Sequence, residues 1–337
     1  MEWVKEFKFD PIKPLLSSKT QEIIYFSERD LLNKNIPPIT EIWNLPDPLN
    51  IIKQQHSEGF WASKSKNVKK FPLINYNLIE TWKRLRILID KYQFNKSNHN
   101  IEKACEFVFS CQTDEGDIRG FLANQYTMYY TGAILSLLIK AGYEDDLRIK
   151  KAFTWLLNMR QNDGGWVGSP FQTLNFSGKE IYELTSTRRQ VLKEHDKTKP
   201  FSHNWTGMVL RAFAIHDMYR NSAEAQKAGK LLKQSFFKAD NYSSYQHPDN
   251  WIRFQFPFWW NNLISALDTL SLLNFSSSDT HIQKGLNWLI DHQQSNGLWN
   301  TSYSSIHKKP TFDNIKVINE KLWITLAICK IFKRLLK

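Results

Sequence analysis

Residues 151–166, KAFTWLLNMRQNDGGW, constrain the fold more than any other stretch of this chain. Four apolar residues recur at helical spacing and form one stripe along a helix: Ala152, Trp155, Leu156 and Met159. Gln161 follows at the helix end, where an amide side chain can bond to backbone groups that lack partners. Gly164 and Gly165 then predict a tight turn, since glycine tolerates a positive φ. Trp166 returns to the apolar stripe, so the unit is a helix closed by a turn and a hydrophobic latch.

The same unit recurs along the chain, which indicates a repeat architecture. Residues 284–299 read KGLNWLIDHQQSNGLW, and residues 51–61 read IIKQQHSEGFW. Residues 103–118 read KACEFVFSCQTDEGDI, with Ile118 in the place of the tryptophan. We align the copies on four glutamines: Gln55, Gln112, Gln161 and Gln294. The wide spacing before the last copy predicts one more at Phe237–Tyr242, where glutamine and glycine are both lost.

A second repeat of apolar helices lies between these turns. Thr81, Thr131 and Thr206 each open such a helix, and residues 254–273 and 320–337 predict two more. Each repeat is therefore an apolar helix, a short loop, an amphipathic helix and a glycine turn.

The pattern Q-x-x-x-G-x-W after an amphipathic helix resembles the QW repeat of the squalene cyclase and protein prenyltransferase superfamily. The resemblance extends from about residue 40 to the last residue. It implies an all-α fold, an (α/α) toroid of about six inner and five to six outer helices, with a cavity at one end of the inner ring. We therefore expect residues 1–337 to form a single domain of this kind. Within it, residues 1–18 are predicted to be an irregular arm and residues 167–200 a loop insertion.

The insertion is the one place where the repeat loses its regular length. It carries several charged and polar residues: Glu180, Glu183, Thr185, Arg188, Arg189, Glu194 and His195. A long insertion at a fixed place in a ring often covers the cavity, and a surface excursion is the alternative.

The net charge of +12 favours contact with anionic surfaces or phosphorylated ligands, or reflects a lysine-rich composition alone. Because the basic residues are dispersed and no nucleic-acid motif is present, we expect no nucleic-acid partner. Peripheral membrane contact is left open. Three cysteines on predicted helices do not make a disulfide framework, and residues 1–8 do not read as a signal peptide. We expect a cytoplasmic protein.

In the superfamily that the chain resembles, the pocket is bounded by the starts of the inner helices. Those positions are rich in aromatic residues here, and five are candidates for substrate binding: Tyr126, Tyr130, Trp205, Trp259 and Trp260, with Trp323 in the last apolar helix. Tyr129 belongs to the same group. Aromatic faces can hold a polyisoprene chain and stabilise a carbocation, whereas core packing is the alternative.

Polar candidates lie beside these aromatic residues. Asp117 and His203 are the candidate acid or base groups, and Glu80 and Arg119 are candidates for substrate binding. For Asp117 the alternative is an ion pair with Arg119, and for His203 a hydrogen-bonded residue at a helix start. Asp268, in the middle of a predicted helix, is expected to make a polar contact with a neighbouring helix.

The chain departs from both chemistries of the superfamily. It has no Asp-x-Asp-Asp acid motif, and nothing corresponds to the zinc ligands of the prenyltransferases, so we expect neither a metal nor a cofactor. The leading hypothesis is a protein that binds or transforms an isoprenoid or another apolar small molecule, and whether it is an enzyme is left open. Two alternatives remain: a non-catalytic toroid for a lipid or protein partner, and a carbohydrate-active toroid, which would need paired carboxylates.

Overall fold

The computed structural model describes residues 1–174, 176–186, 191–242, 246–304 and 314–336. Regular structure in these residues is helical throughout. Cα distances divide the chain into two compact units, the first with residues 1–38 and 229–337 and the second with residues 39–228. The single domain expected from the sequence stays a prediction.

The first unit begins with α1 (Ile12–Leu16) and α2 (Gln21–Phe26). The second unit follows with α3 (Thr40–Trp43), α4 (Pro46–Ile52), α5 (Tyr76–Tyr92), α6 (His99–Ser110), α7 (Met128–Leu138), α8 (Leu147–Asn158), α9 (Pro170–Thr173), α10 (Gly178–Ser186) and α11 (His203–Ile215). After α12 (Ala223–Gln234), the first unit is completed by α13 (Leu263–Leu272), α14 (Thr280–Asp291) and α15 (Ile315–Leu335).

Buried and amphipathic helices alternate along the chain. Helices α7 and α11 are buried around most of their circumference, and so are α13 and the middle of α15. Between them, α6, α8 and α14 bury one stripe each and expose the opposite face. The predicted all-α class and the inner–outer helix order of an (α/α) toroid are therefore confirmed.

Short polar side chains fix where the main helices begin. Asn75, Ser202 and Asn262 accept hydrogen bonds from backbone N–H groups in the first turns of α5, α11 and α13. Between the buried helices the packing is close: a Cβ atom on Gly132 of α7 would lie 2.6 Å from the Cα atom of Val209 on α11. Any larger residue at position 132 would push these two helices apart.

The glutamine turns bind one repeat to the next. Gln55 Nε2 donates to the carbonyl of Gly59 at 2.7 Å, which closes the turn, and to that of Asn100 at 2.8 Å, which lies at the start of α6. Two other glutamines make the same pair of bonds: Gln112 to Gly116 and Arg148 at 2.8 and 2.9 Å, and Gln293 to Gly297 and Phe9 at 3.2 and 2.8 Å. The side chain thus closes its own turn and ties it to another segment, which is the start of the next amphipathic helix for Gln55 and Gln112 and the N-terminal arm for Gln293.

The latch tryptophans lie where the sequence predicts them. Trp61, Trp166 and Trp299 are buried, and each indole N–H donates at 2.7 Å to the carbonyl ten residues earlier on the preceding helix. The threonines of the second repeat complete the latch. The hydroxyls of Thr81, Thr131, Thr206 and Thr325 accept from the backbone N–H of the latch residue, at 2.8–3.3 Å. This pairing of threonine and latch was not predicted.

Four details of the sequence analysis were wrong. The fourth turn glutamine is Gln293, not Gln294, because only Gln293 reaches the carbonyl of Gly297. In the third turn the equivalent position, six residues before the latch, is Arg160, so Gln161 is also one residue out of register. In the region of the hidden copy, Trp251 takes the latch role further along the chain and donates to Lys238 at 3.0 Å. Residues 254–262 are non-helical, so α13 begins only at Leu263.

The N-terminal arm is also more regular than predicted. A 3-10 turn covers Glu2–Glu6, α1 follows, and the ring of Phe7 packs against Trp299 at 5.4 Å. Asp268 makes the helix-to-helix contact expected for it, an ion pair with Arg334 of α15.

Candidate functional site

Five aromatic side chains form a continuous row in the second unit, at the end where α5, α7 and α11 begin. Trp82 contacts the ring of Tyr130 edge-on, with centroids 5.1 Å apart. The ring of Tyr130 stacks on that of Phe121, with centroids 3.6 Å apart. It packs at a tilt against the ring of Tyr129, with centroids 4.1 Å apart. Tyr129 then meets Trp205 at 4.4 Å. We call these five residues the aromatic row.

Local structure places each member. Trp82 lies in the second turn of α5, the two tyrosines open α7, and Trp205 lies in the first turn of α11. Phe121 comes from the connecting loop, which is held by a hydrogen bond of 2.8 Å from Asn75 N–H to the Gly120 carbonyl. Three buried helices that start at one end of the unit therefore bring their first aromatic residues together.

Some residues of the aromatic row are buried, and others are partly exposed. Trp82, Phe121 and Trp205 are buried, whereas Tyr129 and Tyr130 are half-buried. The guanidinium of Arg86 lies 5.0 Å from the ring of Trp82. Burial lowers the pKa of Arg86, and the charge of Asp90 opposes that effect. Because one face of Trp82 already meets a cation, the row is better suited to a neutral or anionic ligand than to a cationic one.

Asp117 belongs to a separate polar network, and its side chain is fully buried. Arg119 donates to both of its carboxylate oxygens, at 2.9 and 2.8 Å, and the Thr113 hydroxyl donates to one of them. The same guanidinium bonds to Glu115 at 3.0 Å, and Glu115 accepts from the Tyr126 hydroxyl at 2.6 Å. The pKa of Glu115 is lowered, first by the Tyr126 hydrogen bond, and burial raises the pKa of Tyr126.

This geometry favours the ion-pair alternative for Asp117. Both oxygens accept hydrogen bonds from the guanidinium of Arg119, which is the geometry of a bidentate ion pair. Arg119 also lies 4.9 Å over the ring of Tyr126, so Arg119 and Tyr126 act as parts of the same network. A catalytic role for Asp117 stays a prediction.

The other two polar candidates occupy helix positions near the row. Glu80 lies on α5 and pairs with Arg84 at 2.8 Å and Lys83 at 3.6 Å, as residues three and four apart on a helix do. His203 is the first residue of α11, two positions before Trp205, and it is buried. The structure therefore brings Tyr130 and Trp205 together through Tyr129, and His203 lies two positions before Trp205 on α11.

The insertion packs at this same end of the second unit. Gln125, in the loop before α7, donates to the Val191 carbonyl at 3.0 Å and accepts from Lys193 N–H at 3.1 Å. The Gly168 carbonyl accepts from Met128 N–H at 3.1 Å, and a Cβ atom on Gly168 would lie 2.9 Å from the indole nitrogen of Trp205. The insertion is thus anchored beside the starts of α7 and α11, and Arg188 and Arg189 lie outside the described residues.

The last candidates form a second aromatic group in the first unit. Phe256 stacks on Trp323 at 5.1 Å with nearly parallel rings, and Trp323 also meets Phe26 at 5.9 Å. Arg253 lies 5.4 Å over the ring of Trp260, and Trp259 beside it is half-buried. Trp259 and Trp260 precede α13 in non-helical chain, so they do not occupy the helix start at which the sequence analysis placed them.

Three members of the second unit's site were missed by the sequence analysis. Trp82 and Arg86 lie on a helix that was correctly predicted, but one helical stripe of apolar residues looks like any other until its neighbours are known. Phe121 lies in a loop whose path depends on the contact of Asn75 with Gly120. The neighbouring Trp-Lys-Arg-Leu-Arg stretch, residues 82–86, was the one available signal, since it places an arginine one turn after a tryptophan.

Residues 72–191 match the model of the squalene–hopene cyclase C-terminal domain. This range runs from α5 to the described part of the insertion and contains Trp82, Phe121, Tyr129 and Tyr130. The resemblance that the QW repeats indicated is therefore confirmed over these residues.

Solved structures give more distant likenesses. A protein from Actinoplanes is 13% identical, with a TM-score of 0.46, over 100% of this chain and 90% of its own. A variant of the type II terpene cyclase MstE from Scytonema, in complex with its substrate geranylgeranyl dihydroxybenzoate, is 12% identical, with a TM-score of 0.37, over 88% and 98%. The polysaccharide lyase BACCELL_00875 is 14% identical, with a TM-score of 0.40, over 88% and 86%. At these scores the likenesses carry no functional argument.

Within the residues that the structure describes, none of the helices has the length and apolar character needed to cross a membrane.

Proposed function

We propose that the protein binds an isoprenoid chain against the aromatic row of the second unit, beside the insertion. The observation that carries this proposal is the row itself, five aromatic rings in unbroken contact over the starts of three helices. An isoprenoid is a flexible apolar chain with a double bond every few carbons, and stacked aromatic faces supply both apolar area and polarisable contact for it. The family match over residues 72–191, which holds four of the five rings, supports the same ligand class.

We assign binding of an isoprenoid to this site and no chemical reaction. The sequence holds no Asp-x-Asp-Asp motif, and Asp117 is engaged by Arg119 through both oxygens, so no proton donor is assigned to a cyclisation step. The Arg86 guanidinium at one end of the row favours an isoprenoid whose head group is neutral or anionic, such as an alcohol or a diphosphate.

The test is a thermal shift measured with farnesyl and geranylgeranyl diphosphates and with the corresponding alcohols. A ligand that binds only the folded protein stabilises it by mass action and so raises the melting temperature. At a ligand concentration of a hundred times Kd, the free energy of unfolding rises by about 2.7 kcal/mol. We expect this shift in the wild type and its loss in Tyr130→Ala and Trp205→Ala. Since Trp205 is buried and its removal costs stability, the half-buried Tyr130 is the cleaner variant.

Tyr219→Ala is the matched control. Tyr219 is also half-buried and stacks on Phe153 at 3.9 Å, but it lies beyond the C-terminal end of α11 and away from the row. The control should keep the ligand shift. Loss of the shift in Tyr219→Ala as well as Tyr130→Ala would contradict the assignment of the row, and a shift with oligosaccharides but not with isoprenoids would favour the carbohydrate alternative.

A further inference from the structure

Residues 115–126 lead from the second glutamine turn towards α7, and we call them the Phe121 loop. The two ends of the loop are joined, since the hydroxyl of Tyr126 donates to the Glu115 carboxylate at 2.6 Å. The guanidinium of Arg119 bonds to the same carboxylate at 3.0 Å and lies over the ring of Tyr126. Arg119 is held in turn by the fully buried Asp117. The polar network thus closes the loop in the manner of an Ω-loop.

The middle of the Phe121 loop carries a ring of the aromatic row. The side chain of Phe121 is buried, stacks on Tyr130 and meets Trp82 edge-on, with centroids 3.6 and 6.1 Å apart. Unlike the other four rings of the row, Phe121 does not belong to a helix, so its position depends on the loop. A backbone bond of 2.8 Å from Asn75 N–H to the Gly120 carbonyl fixes the loop next to this ring.

We propose that the polar network positions the aromatic row, and that Tyr126 acts on the ligand through Phe121 rather than by contact with it. The inference rests on the proposed function and deepens it, since it explains why a buried ion network adjoins an apolar site. Desolvation offsets much of the attraction in a buried ion pair, so a network of this kind chiefly adds a single defined conformation. Here that conformation holds Phe121 against Tyr130 before a ligand arrives. A preformed site spares the ligand the ordering of the loop and so raises its affinity.

Direct contact with the ligand is the alternative for these polar side chains, and their bonding disfavours it. The guanidinium of Arg119 already donates to two carboxylates and to the side chain of Asn124. The ring of Tyr126 is buried and packs against Trp155, with centroids 5.7 Å apart, and its hydroxyl is bonded to Glu115. The network therefore reaches the row through the backbone of the Phe121 loop.

The test compares the Kd of the wild type with that of Tyr126→Phe, by thermal-shift titration with geranylgeraniol and geranylgeranyl diphosphate. Tyr126→Phe keeps the ring and every charge and removes only the bond that joins the ends of the loop. We expect the Kd to rise at least about fivefold, the equivalent of one ordinary hydrogen bond. Tyr143→Phe is the matched control, because Tyr143 is also buried but lies beyond the C-terminal end of α7. Its Kd should stay within about twofold of the wild-type value.

A double-mutant cycle tests whether Tyr126 acts through Phe121. Phe121→Leu removes the ring from the row, so in that background the further change Tyr126→Phe should alter the Kd by less than about twofold. Effects of the two substitutions that multiply in the double variant would overturn the proposal, since Tyr126 would then act on the ligand independently of Phe121.

A measurement without ligand tests the positioning itself. Amide hydrogen exchange of residues 119–124 should be faster in Tyr126→Phe than in the wild type, and Tyr143→Phe should leave it unchanged. This readout does not depend on how well Phe121→Leu folds. Unchanged exchange of these residues in Tyr126→Phe would overturn the proposal.

Failure of the positioning role and failure of the isoprenoid site are distinguishable. A wild type that shows no shift with either isoprenoid contradicts the proposed function. A wild type that binds, with Tyr126→Phe binding equally well, contradicts the positioning role alone.

Discussion

Three of the turns described above carry a glutamine six residues before the latch residue, whereas the turn that ends at Trp166 has Arg160 at that position. Gln55 and Gln112 bond to a carbonyl at the start of the next amphipathic helix, and Gln293 bonds to the carbonyl of Phe9 in the N-terminal arm. In the third turn the following residue, Gln161, donates to the carbonyls of Asp196 and Lys199 in the insertion, at 2.8 and 2.9 Å. The third turn therefore keeps the latch tryptophan, lacks the glutamine of the repeat, and is bonded to the insertion.

The backbone around the third turn completes this attachment. Asn162 N–H donates to the Lys197 carbonyl at 2.9 Å, and the Asp163 carboxylate accepts from Phe201 N–H at 2.8 Å. The Trp166 carbonyl accepts from Ser202 N–H at 3.0 Å. These bonds hold residues 196–202, the end of the insertion and the two residues before α11, along the turn. The comparison shows that the turn without the glutamine of the repeat is the one that fastens the segment beside the aromatic row.

The largest expected effect tests what all the turns share. Trp166→Ala and Trp299→Ala should each lower the free energy of unfolding by about 3–5 kcal/mol, because each removes a fully buried indole and leaves a cavity. Urea denaturation followed by circular dichroism measures this loss. A loss of less than about 1 kcal/mol in both variants would mean that the latches do not hold the turns to the helices.

A smaller effect should separate the third turn from the others. Gln112→Ala removes bonds to Gly116 and Arg148 and should lower the free energy of unfolding by about 1–3 kcal/mol. Gln161→Ala should cost less in global stability, because its partners lie in the insertion rather than in the next helix. Its effect should appear as faster hydrogen exchange of residues 191–200, with exchange in α6 and α8 unchanged.

The opposite pattern would break the comparison. If Gln161→Ala destabilised the whole chain as much as Gln112→Ala and left exchange in residues 191–200 unaffected, the third turn would be a joint between repeats like the others.

The smallest expected effect depends on pH and concerns His195 in the insertion. His195 is buried, and the Met159 backbone lies close to its ring. Burial lowers the pKa of His195, and Lys197 lowers it further, whereas Glu194 and Asp196 oppose this. The unfolded chain therefore takes up this proton at a higher pH than the folded chain does.

The stabilisation from neutral His195 is complete above about pH 6.5 and is lost as the pH falls towards the lower pKa of the folded state. We expect residues 191–200 to exchange faster at about pH 5.5 than at about pH 7.5, after correction for intrinsic rates. His195→Leu, which keeps the burial and cannot be protonated, should abolish this difference. If the difference persisted in His195→Leu, another group would be responsible.

Much of the fold could be predicted from the sequence because its signals are local and repeated. A glycine two residues before an apolar latch residue marks each of the four turns, a glutamine six residues before the latch marks three of them, and the apolar stripes define each helix. The misassigned Gln294 shows the limit of this approach, since two consecutive glutamines offer alternative registers. Only Gln293 fits the full Q-x-x-x-G-x-W pattern, so the correct register was available in the sequence.

The site was less predictable because it depends on which helices meet. Tyr130 and Trp205 were identified from their place at helix starts, and the structure joins them through Tyr129. Phe121 could not be found in this way, since its position depends on a loop that folds back onto Asn75. The partner of Gln161 was also hidden, because the sequence does not say that a carbonyl of the insertion replaces one of the next helix.

The central claim is that an isoprenoid lies against the aromatic row, and photolabelling tests it most directly. A geranylgeranyl alcohol or diphosphate that carries a diazirine in its chain is irradiated with the wild-type protein, and the labelled peptides are identified by mass spectrometry. We expect labels at or next to Phe121, Tyr129–Tyr130 and Trp205, which excess unlabelled isoprenoid removes and Tyr130→Ala reduces. Competed labelling confined to other regions, such as residues 216–222 beyond the end of α11, would contradict the account.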